Sequence, residues 1–286
     1  MTGSRDDSSA AVPRAGVIGW PIKHSRSPLI HGHWLRRYGI AGSYEKVAVE
    51  PGDLAGFLAG LAAAGWRGCN VTVPHKEQAL ALADEATDTA RAIGAANTLW
   101  VERGRLHATN TDAYGFMTHL RTEAPGWQEG GRPALVLGAG GAARAILQGL
   151  IEAGVREIRL VNRSRGRAEA LVAHFGRAVV VGDWAERDSL IGDCGLLINT
   201  TSLGMTGQAP LDISLAAAGD RLTVSDIVYA PLETPLLKAA RQKGLVAVDG
   251  LGMLLHQAVP GFERWFGIRP EVTRELRALI EADLRD

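Results

Sequence analysis

Apolar and polar positions alternate along this chain in two periods, and the periods take turns. Runs with every second residue apolar predict strands at residues 15–20, 43–49 and 68–73. Helical stretches lie between them. One opens at Ser27-Pro28, a capping serine before a first-turn proline, and closes at Gly39; another spans 53–64. Residues 98–101 and 106–108 flank Arg103-Gly104 as a short hairpin, and a helix runs from Asp112 to Arg121. Pro125-Gly126 and Gly130-Gly131 then break the pattern, as at a domain junction. A second alternation follows, with strands at 134–137, 157–161, 179–181, 196–198, 222–227 and 246–248. Helices are expected at 142–152, 165–174 and 235–243, and two more, 254–266 and 270–284, end the chain. Strands alternating with helices build parallel or mostly parallel sheets, so the fold class is two α/β domains.

The most telling local pattern is Asn70-Val71-Thr72-Val73-Pro74-His75-Lys76. Val71 and Val73 read as core-facing strand positions, Asn70 and Thr72 alternate onto the other face, and Pro74 ends the run. An amide, a hydroxyl and a cation thus cluster at a strand's C-terminal end, where open α/β sheets bind ligands. Polar groups recur at other element ends: Ser25 and Ser27, Asn97-Thr98, Asp112 and Gln257. Each has a plain structural reading alone, with Ser27 and Asp112 as helix caps, Thr98 as a strand start and Gln257 facing solvent. Together they suit a small polyhydroxylated anion. Lys76 is a candidate proton donor and Asp112 its candidate partner.

Residues 134–137 lead into Gly138-Ala139-Gly140-Gly141-Ala142-Ala143, which fits G-x-G-x-x-[GA] between a strand and a helix. The first glycine allows the tight turn, and the second lets backbone approach a pyrophosphate on the helix N-terminus. Roughly 20 residues on, where an acidic residue commonly holds the ribose of NAD, stand Asn162-Arg163-Ser164-Arg165-Gly166-Arg167. A carboxylate repels a 2′-phosphate, whereas guanidinium groups hydrogen-bond it. Positive charge at a helix start is otherwise unfavourable. The cofactor expected is NADP.

Composition narrows the remaining classes. In 286 residues, Lys plus Arg (31) equals Asp plus Glu (31), which argues against nucleic acid and anionic membrane as partners. Hydrophobic content of 46% and charged content of 22% are ordinary for a soluble enzyme. No apolar run approaches a membrane span. Residues 1–12 are small and polar, which reads as a disordered tail and not a signal peptide. Cys69 and Cys194, each in or beside an apolar run, read as buried free thiols suited to the cytoplasm. No metal site is expected: the cysteines are distant, and His31 and His33, two apart on a helix, diverge.

The chain resembles the shikimate dehydrogenase family from about Ala15 to its C-terminus. The resemblance is carried by residues 18–28, 70–76, 94–98 (Gly94-Ala95-Ala96-Asn97-Thr98), Asn110-Thr111-Asp112, 138–144, Asn162-Arg163-Ser164, Asn199-Thr200-Thr201-Ser202 and 249–257. Ala96 stands where valine is usual. The resemblance implies that Ser25, Ser27, Asn70, Thr72, Asn97, Asp112, Tyr229 and Gln257 surround the substrate, with Lys76 as the catalytic lysine. It implies cofactor contacts at Gly138, Ala139, Gly140, Gly141, Ala142, Asn162, Arg163, Ser164, Arg167, Thr200 and Gly250. It also implies a discontinuous substrate domain, 1–112 plus 250–286, around a Rossmann domain at 113–249 with a cleft between them. The implied reaction is reversible reduction of 3-dehydroshikimate to shikimate by NADPH, in aromatic amino acid biosynthesis. Three alternatives stay open: a quinate-oxidising relative, one acting on an amino-analogue of shikimate, and a non-catalytic NADP sensor. Which of Lys76 and Asp112 carries the mobile proton, and the oligomeric state, are left undecided by the sequence.

Overall fold

The computed structural model describes residues 12–285; the expected tail falls almost wholly outside them. The first half runs β1 (Arg14–Gly19), α1 (Ser27–Arg37), β2 (Ser43–Ala48), α2 (Leu54–Gly60), β3 (Trp66–Val71), α3 (Lys76–Leu82) and β4 (Glu85–Ala86). Then come α4 (Asp88–Ile93), β5 (Thr98–Glu102), β6 (Arg105–Thr109) and α5 (Asp112–Glu123). Its six strands form one sheet in the order β2-β1-β3-β5-β6-β4. β1 lies parallel to β2 and β3, but β5 is antiparallel to both β3 and β6. The β5–β6 turn holds Arg103 at φ 51° and Gly104 at φ 74°, the paired positive angles that suit the twist of a two-residue hairpin.

The second half runs β7 (Ala134–Leu137), α6 (Gly141–Glu152), β8 (Ile158–Val161), α7 (Arg165–Phe175), β9 (Val179–Val181) and β10 (Leu196–Asn199). It continues through β11 (Thr223–Asp226), α8 (Pro235–Gln242) and β12 (Val246–Val248). These strands form a wholly parallel sheet, β12-β11-β10-β7-β8-β9, the order of a dinucleotide-binding fold with its reversal between β7 and β10. Along β7, Ala134 and Val136 enter one core cluster while Leu135 and Leu137 enter another, so both faces are covered. Two last helices, α9 (Leu251–Phe266) and α10 (Arg274–Asp283), return to the first half. There Leu251, Phe262, Leu276 and Ile280 pack with Ile30 and Trp34 of α1.

Several expectations need correction. The mostly parallel pattern holds fully only in the second sheet. The 53–64 helix is a 3-10 turn at Pro51–Asp53 followed by the shorter α2. The strand at 68–73 begins at Trp66 and stops at Val71, and Val73 is 69% exposed instead of core. Ser27 is the first helical residue and not the cap, which is Arg26. Asp112 is likewise inside α5, with Thr111 at the cap position. The short elements α3, β4 and α4 escape sequence reading because two-turn helices carry little periodicity. Cys69 and Cys194 are buried free thiols.

Candidate active site

β1 and β3 are neighbours in register, with Ile18 opposite Val71, so the segments leaving them emerge side by side. One carries Ser25 and Ser27, the other Thr72 and Lys76. They open into a cavity of about 360 Å³ whose lining includes Ser25, Ser27, Asn70, Thr72, Lys76, Asn97, Asp112, Tyr229 and Gln257. Every residue expected at the substrate or at the chemistry is therefore on one wall or another of this cavity.

Two clusters stand out within it. In the first, the Lys76 ammonium donates to Asp112 Oδ2, and Asn97 Nδ2 donates to Asp112 Oδ1 at 2.8 Å. Asn97 Nδ2 also lies 3.3 Å from Gln257 Oε1, so α9 joins the same network. Asp112 is 6% exposed, which excludes the surface-cap reading, and Gln257 at 9% does not face solvent. In the second cluster Ser25 Oγ donates to Ser27 Oγ at 3.3 Å, near Tyr229. Burial pushes the Tyr229 phenol up, and the Arg26 charge opposes that shift. Arg26 also lines the cavity, held by Asp283 at 3.0 Å. Sequence reading passes over Arg26, although a cation between two serines is the available signal.

The amides make more internal hydrogen bonds than their position at element ends suggests. Asn70 Nδ2 donates to the Asn97 carbonyl and Thr98 Oγ1, while its Oδ1 accepts from the Tyr44 hydroxyl at 2.6 Å. Asn97 Oδ1 accepts from Thr98 Oγ1 and from the Thr111 N–H and hydroxyl. Both side chains reach the cavity with these hydrogen-bonding groups already engaged by protein.

The glycine loop follows β7, at the reversal of strand order. Gly138 has φ +103°, and a Cβ there would lie 2.8 Å from Thr200 Oγ1, so glycine is required on both counts. Thr200 supports the loop from beneath by donating to the Leu137 carbonyl at 2.7 Å. Ala139 N–H donates to Asn162 Oδ1 at 3.2 Å, tying the loop to the end of β8, and Asn162 Nδ2 donates to the Ser164 carbonyl. Gly140 caps α6 and Gly141 begins it, and a Cβ at either would meet nothing within 4 Å. The first N–H groups of α6, Ala142 included, have no intrahelical partners, and the space beside Gly140 and Gly141 is open. Arg163, Ser164 and Arg167 are exposed beside this loop's support. Arg165 pairs with Glu169, whereas the other two guanidiniums have no partner among the described residues. These groups fit a dinucleotide with a phosphorylated ribose. Gly250 lies elsewhere, on the cavity wall, where a Cβ would sit 2.2 Å from the Ile227 carbonyl oxygen.

No helix among the described residues is long and apolar enough to cross a membrane, and none of their His, Cys, Asp and Glu side chains group as metal ligands.

Three family models match: a shikimate dehydrogenase substrate binding domain over residues 17–99, a shikimate/quinate 5-dehydrogenase model over 127–205, and a shikimate 5′-dehydrogenase C-terminal domain over 250–279. A shikimate dehydrogenase (NADP(+)) from Methylocella silvestris is 57% identical over 276 residues, covering 96% of this chain and 98% of that protein. The structure of a Thermus thermophilus shikimate 5-dehydrogenase with NADP(H) and shikimate is 36% identical, covers 96% of this chain and 99% of that one, and has a TM-score of 0.81. A Corynebacterium glutamicum quinate dehydrogenase with NAD is 29% identical at a TM-score of 0.87, covering 95% of this chain and 99% of that one. With its cavity, its glycine loop and relatives matched from end to end, this chain belongs to the shikimate dehydrogenase family.

Proposed function

We propose that the protein is an NADP-dependent shikimate dehydrogenase that reversibly reduces 3-dehydroshikimate. The observation that carries this is the Lys76–Asp112 pair, buried in a cavity otherwise lined by hydroxyls and amides. Bound NADPH supplies the hydride for the ring carbonyl. Lys76 stabilises the developing alkoxide by its charge and passes a proton from Nζ to that oxygen. Asp112 is read as the partner and not the donor, a reading supported by Asn97 Nδ2 on one of its oxygens and the Lys76 amine on the other. Its part is to aim the ammonium; in the oxidising direction Lys76 takes the proton back. Ser25, Ser27, Tyr229 and Arg26 form the end suited to a carboxylate, and Asn70, Thr72, Asn97 and Gln257 shape the wall for ring hydroxyls.

For the cofactor, we place the pyrophosphate on Gly138, Ala139, Gly140, Gly141 and Ala142. The 2′-phosphate goes to Arg163 and Arg167, with Asn162 and Ser164 at the ribose. Thr200 acts through the loop it props, and Gly250 acts from the cavity side. The division into 1–112 with 250–286 and an inserted 113–249 is supported by one sheet using strands from Arg14 to Thr109 and the other from Ala134 to Val248. Buried free thiols support a cytoplasmic setting.

The test is NADPH oxidation with 3-dehydroshikimate and 3-dehydroquinate side by side. A site that hydrogen-bonds particular hydroxyls discriminates strongly, so 3-dehydroshikimate is expected to have far the higher kcat/KM. Equal values would favour the dual-specificity relative, and no turnover of either would favour a sensor.

A further inference from the structure

Behind Asp112 the hydrogen bonds all run one way, and backbone groups fix their direction. The Thr111 N–H, which only donates, meets Asn97 Oδ1 at 2.8 Å, so Asn97 turns Nδ2 toward Asp112. The Asn97 carbonyl, which only accepts, meets Asn70 Nδ2 at 3.2 Å, so Asn70 turns Oδ1 toward the Tyr44 hydroxyl. Thr98 stands between the two amides. Its Oγ1 accepts from Asn70 Nδ2 at 3.1 Å and donates to Asn97 Oδ1 at 2.9 Å. From the Tyr44 phenol inward, each donor points toward the Asp112 carboxylate.

We infer that Tyr44 is a positioning residue for the reaction: its hydroxyl begins a donor chain through Asn70, Thr98 and Asn97 that holds Asp112, and through it Lys76, against the substrate. The inference rests on the reading of Lys76 and Asp112 as the proton-donating pair.

The surroundings of Tyr44 suit that role. Its ring stacks on His31 with centroids 3.9 Å apart and planes 4° from parallel. His31 is fully buried against Trp34 and Trp265; neither ring nitrogen makes a geometrically sound hydrogen bond among the described residues, although the Asn70 side chain lies near enough to favour its protonated form against burial. The imidazole therefore serves as a flat wall that sets the angle of the phenol. Burial pushes His31 down to about 3 and the Tyr44 phenol up, so at neutral pH the wall is uncharged and the phenol keeps the proton it donates. A phenylalanine would fill the same slot, which leaves the hydroxyl's polar interactions, the 2.6 Å bond to Asn70 Oδ1 and a weaker one toward Ser27, as what it adds. Because the Asn97 carbonyl prevents the Asn70 amide from turning over, loss of the phenol removes the 2.6 Å hydrogen bond to Asn70 Oδ1 and leaves that oxygen facing the His31 ring alone. Hydrogen bonds in series polarise one another, so a break at the outer end reaches the inner one.

The experiment compares Tyr44→Phe, Thr98→Val and the double variant in NADPH-dependent reduction of 3-dehydroshikimate. Lys76→Ala is the control, and folding is followed by thermal unfolding. Small displacements of catalytic groups are costly, so Tyr44→Phe is expected to lower kcat about tenfold, with KM for NADPH unchanged. Thr98→Val cuts the chain midway, so the double variant is expected to be no slower than Thr98→Val alone. Thr98→Ser, which keeps the hydroxyl, is expected to retain kcat. Near-native kcat in Tyr44→Phe, or losses that multiply in the double variant, overturns the inference while the loss in Lys76→Ala leaves the reading of the site intact. Near-native turnover in Lys76→Ala overturns that reading, and the inference with it. If Thr98→Val does not fold, the kcat of Tyr44→Phe against its KM for NADPH decides alone.

Discussion

The substrate cavity and the nucleotide loop are finished to different degrees. Around the cavity, Asp112, Asn97, Asn70 and Thr98 are already bonded to one another, and Lys76 to Asp112. Around the loop, the space beside Gly140 and Gly141 at the start of α6 is open, and Arg163 and Arg167 stand exposed without side-chain partners among the described residues. The difference matches the work. Groups that stabilise developing charge must not reorganise during the reaction, whereas groups that grip a ground-state phosphate can be ordered by it. Damage at the cavity is therefore expected to fall on kcat, and damage at the loop on KM for the cofactor.

The largest expected effect tests the built end. Lys76→Ala is expected to lower kcat by roughly 10²–10⁴-fold, the usual worth of a positioned acid–base group, while calorimetry shows shikimate still bound. Near-native turnover would refute the role of the lysine. Asp112→Asn comes next. It keeps the shape but presents an amide to Lys76, and a loss of about 10²-fold in kcat is expected with KM for NADPH unaltered. A loss confined to KM would erase the contrast between the two ends.

At the open end, one charge-assisted hydrogen bond is worth about 1.5–3 kcal/mol, or roughly 10- to 100-fold in affinity. Arg163→Ala is expected to raise KM for NADPH by that factor while leaving NADH, which lacks the phosphate, almost unchanged. Steady-state kinetics with both cofactors decide it; equal weakening of both would remove the 2′-phosphate from Arg163.

The smallest effect compares the halves by acid titration. His31 is held at about 3, below its ordinary 6.5, so its contribution to stability is complete above 6.5 and is lost as pH falls toward 3. In the other half burial raises Asp226 from 3.8 to about 6, so its contribution is complete below 3.8 and is lost as pH rises through 6. The two oppose each other between about 3.8 and 6. Denaturant unfolding across that window is expected to show a flatter acid loss in His31→Phe and a steeper one in Asp226→Asn. The same slope in both variants would rule out the assignment.

The nucleotide end proposed here is the more legible in the sequence, because its candidates lie in contiguous backbone: Gly138 and Gly140 form the loop after β7, and the arginines follow β8 in one short run. Lys76 and Asp112 are legible as types at element ends, although their contact joins residues 36 apart. What cannot be read depends on distant partners. Tyr44 reaches Asn70, and Asn97 reaches Gln257 across 160 residues, so nothing local shows that those amides are already hydrogen-bonded within the protein. Val73 reads as core because alternation continues past the last strand pair, Ile18 with Val71, where no sheet remains to bury it. Gly250 falls among the cofactor glycines by resemblance, and the close approach of the Ile227 carbonyl gives it a separate structural reason that no local pattern shows.

One feature of the seam between the sheets bears on how such an enzyme diversifies. α5 and α9 meet with glycine at the contact: a Cβ on Gly115 would lie 2.7 Å from the Gln257 backbone nitrogen, and one on Gly252 would lie 2.0 Å from the His119 ring. Asp112 and Gln257 sit on these same two helices. Substitutions there would alter joint and pocket at once. The arginine-bearing turn after β8 is not among those glycines' contacts. On the proposed assignment, cofactor preference could thus change by a few surface steps without disturbing the Lys76–Asp112 pair, and a relative of the same fold is seen in complex with NAD.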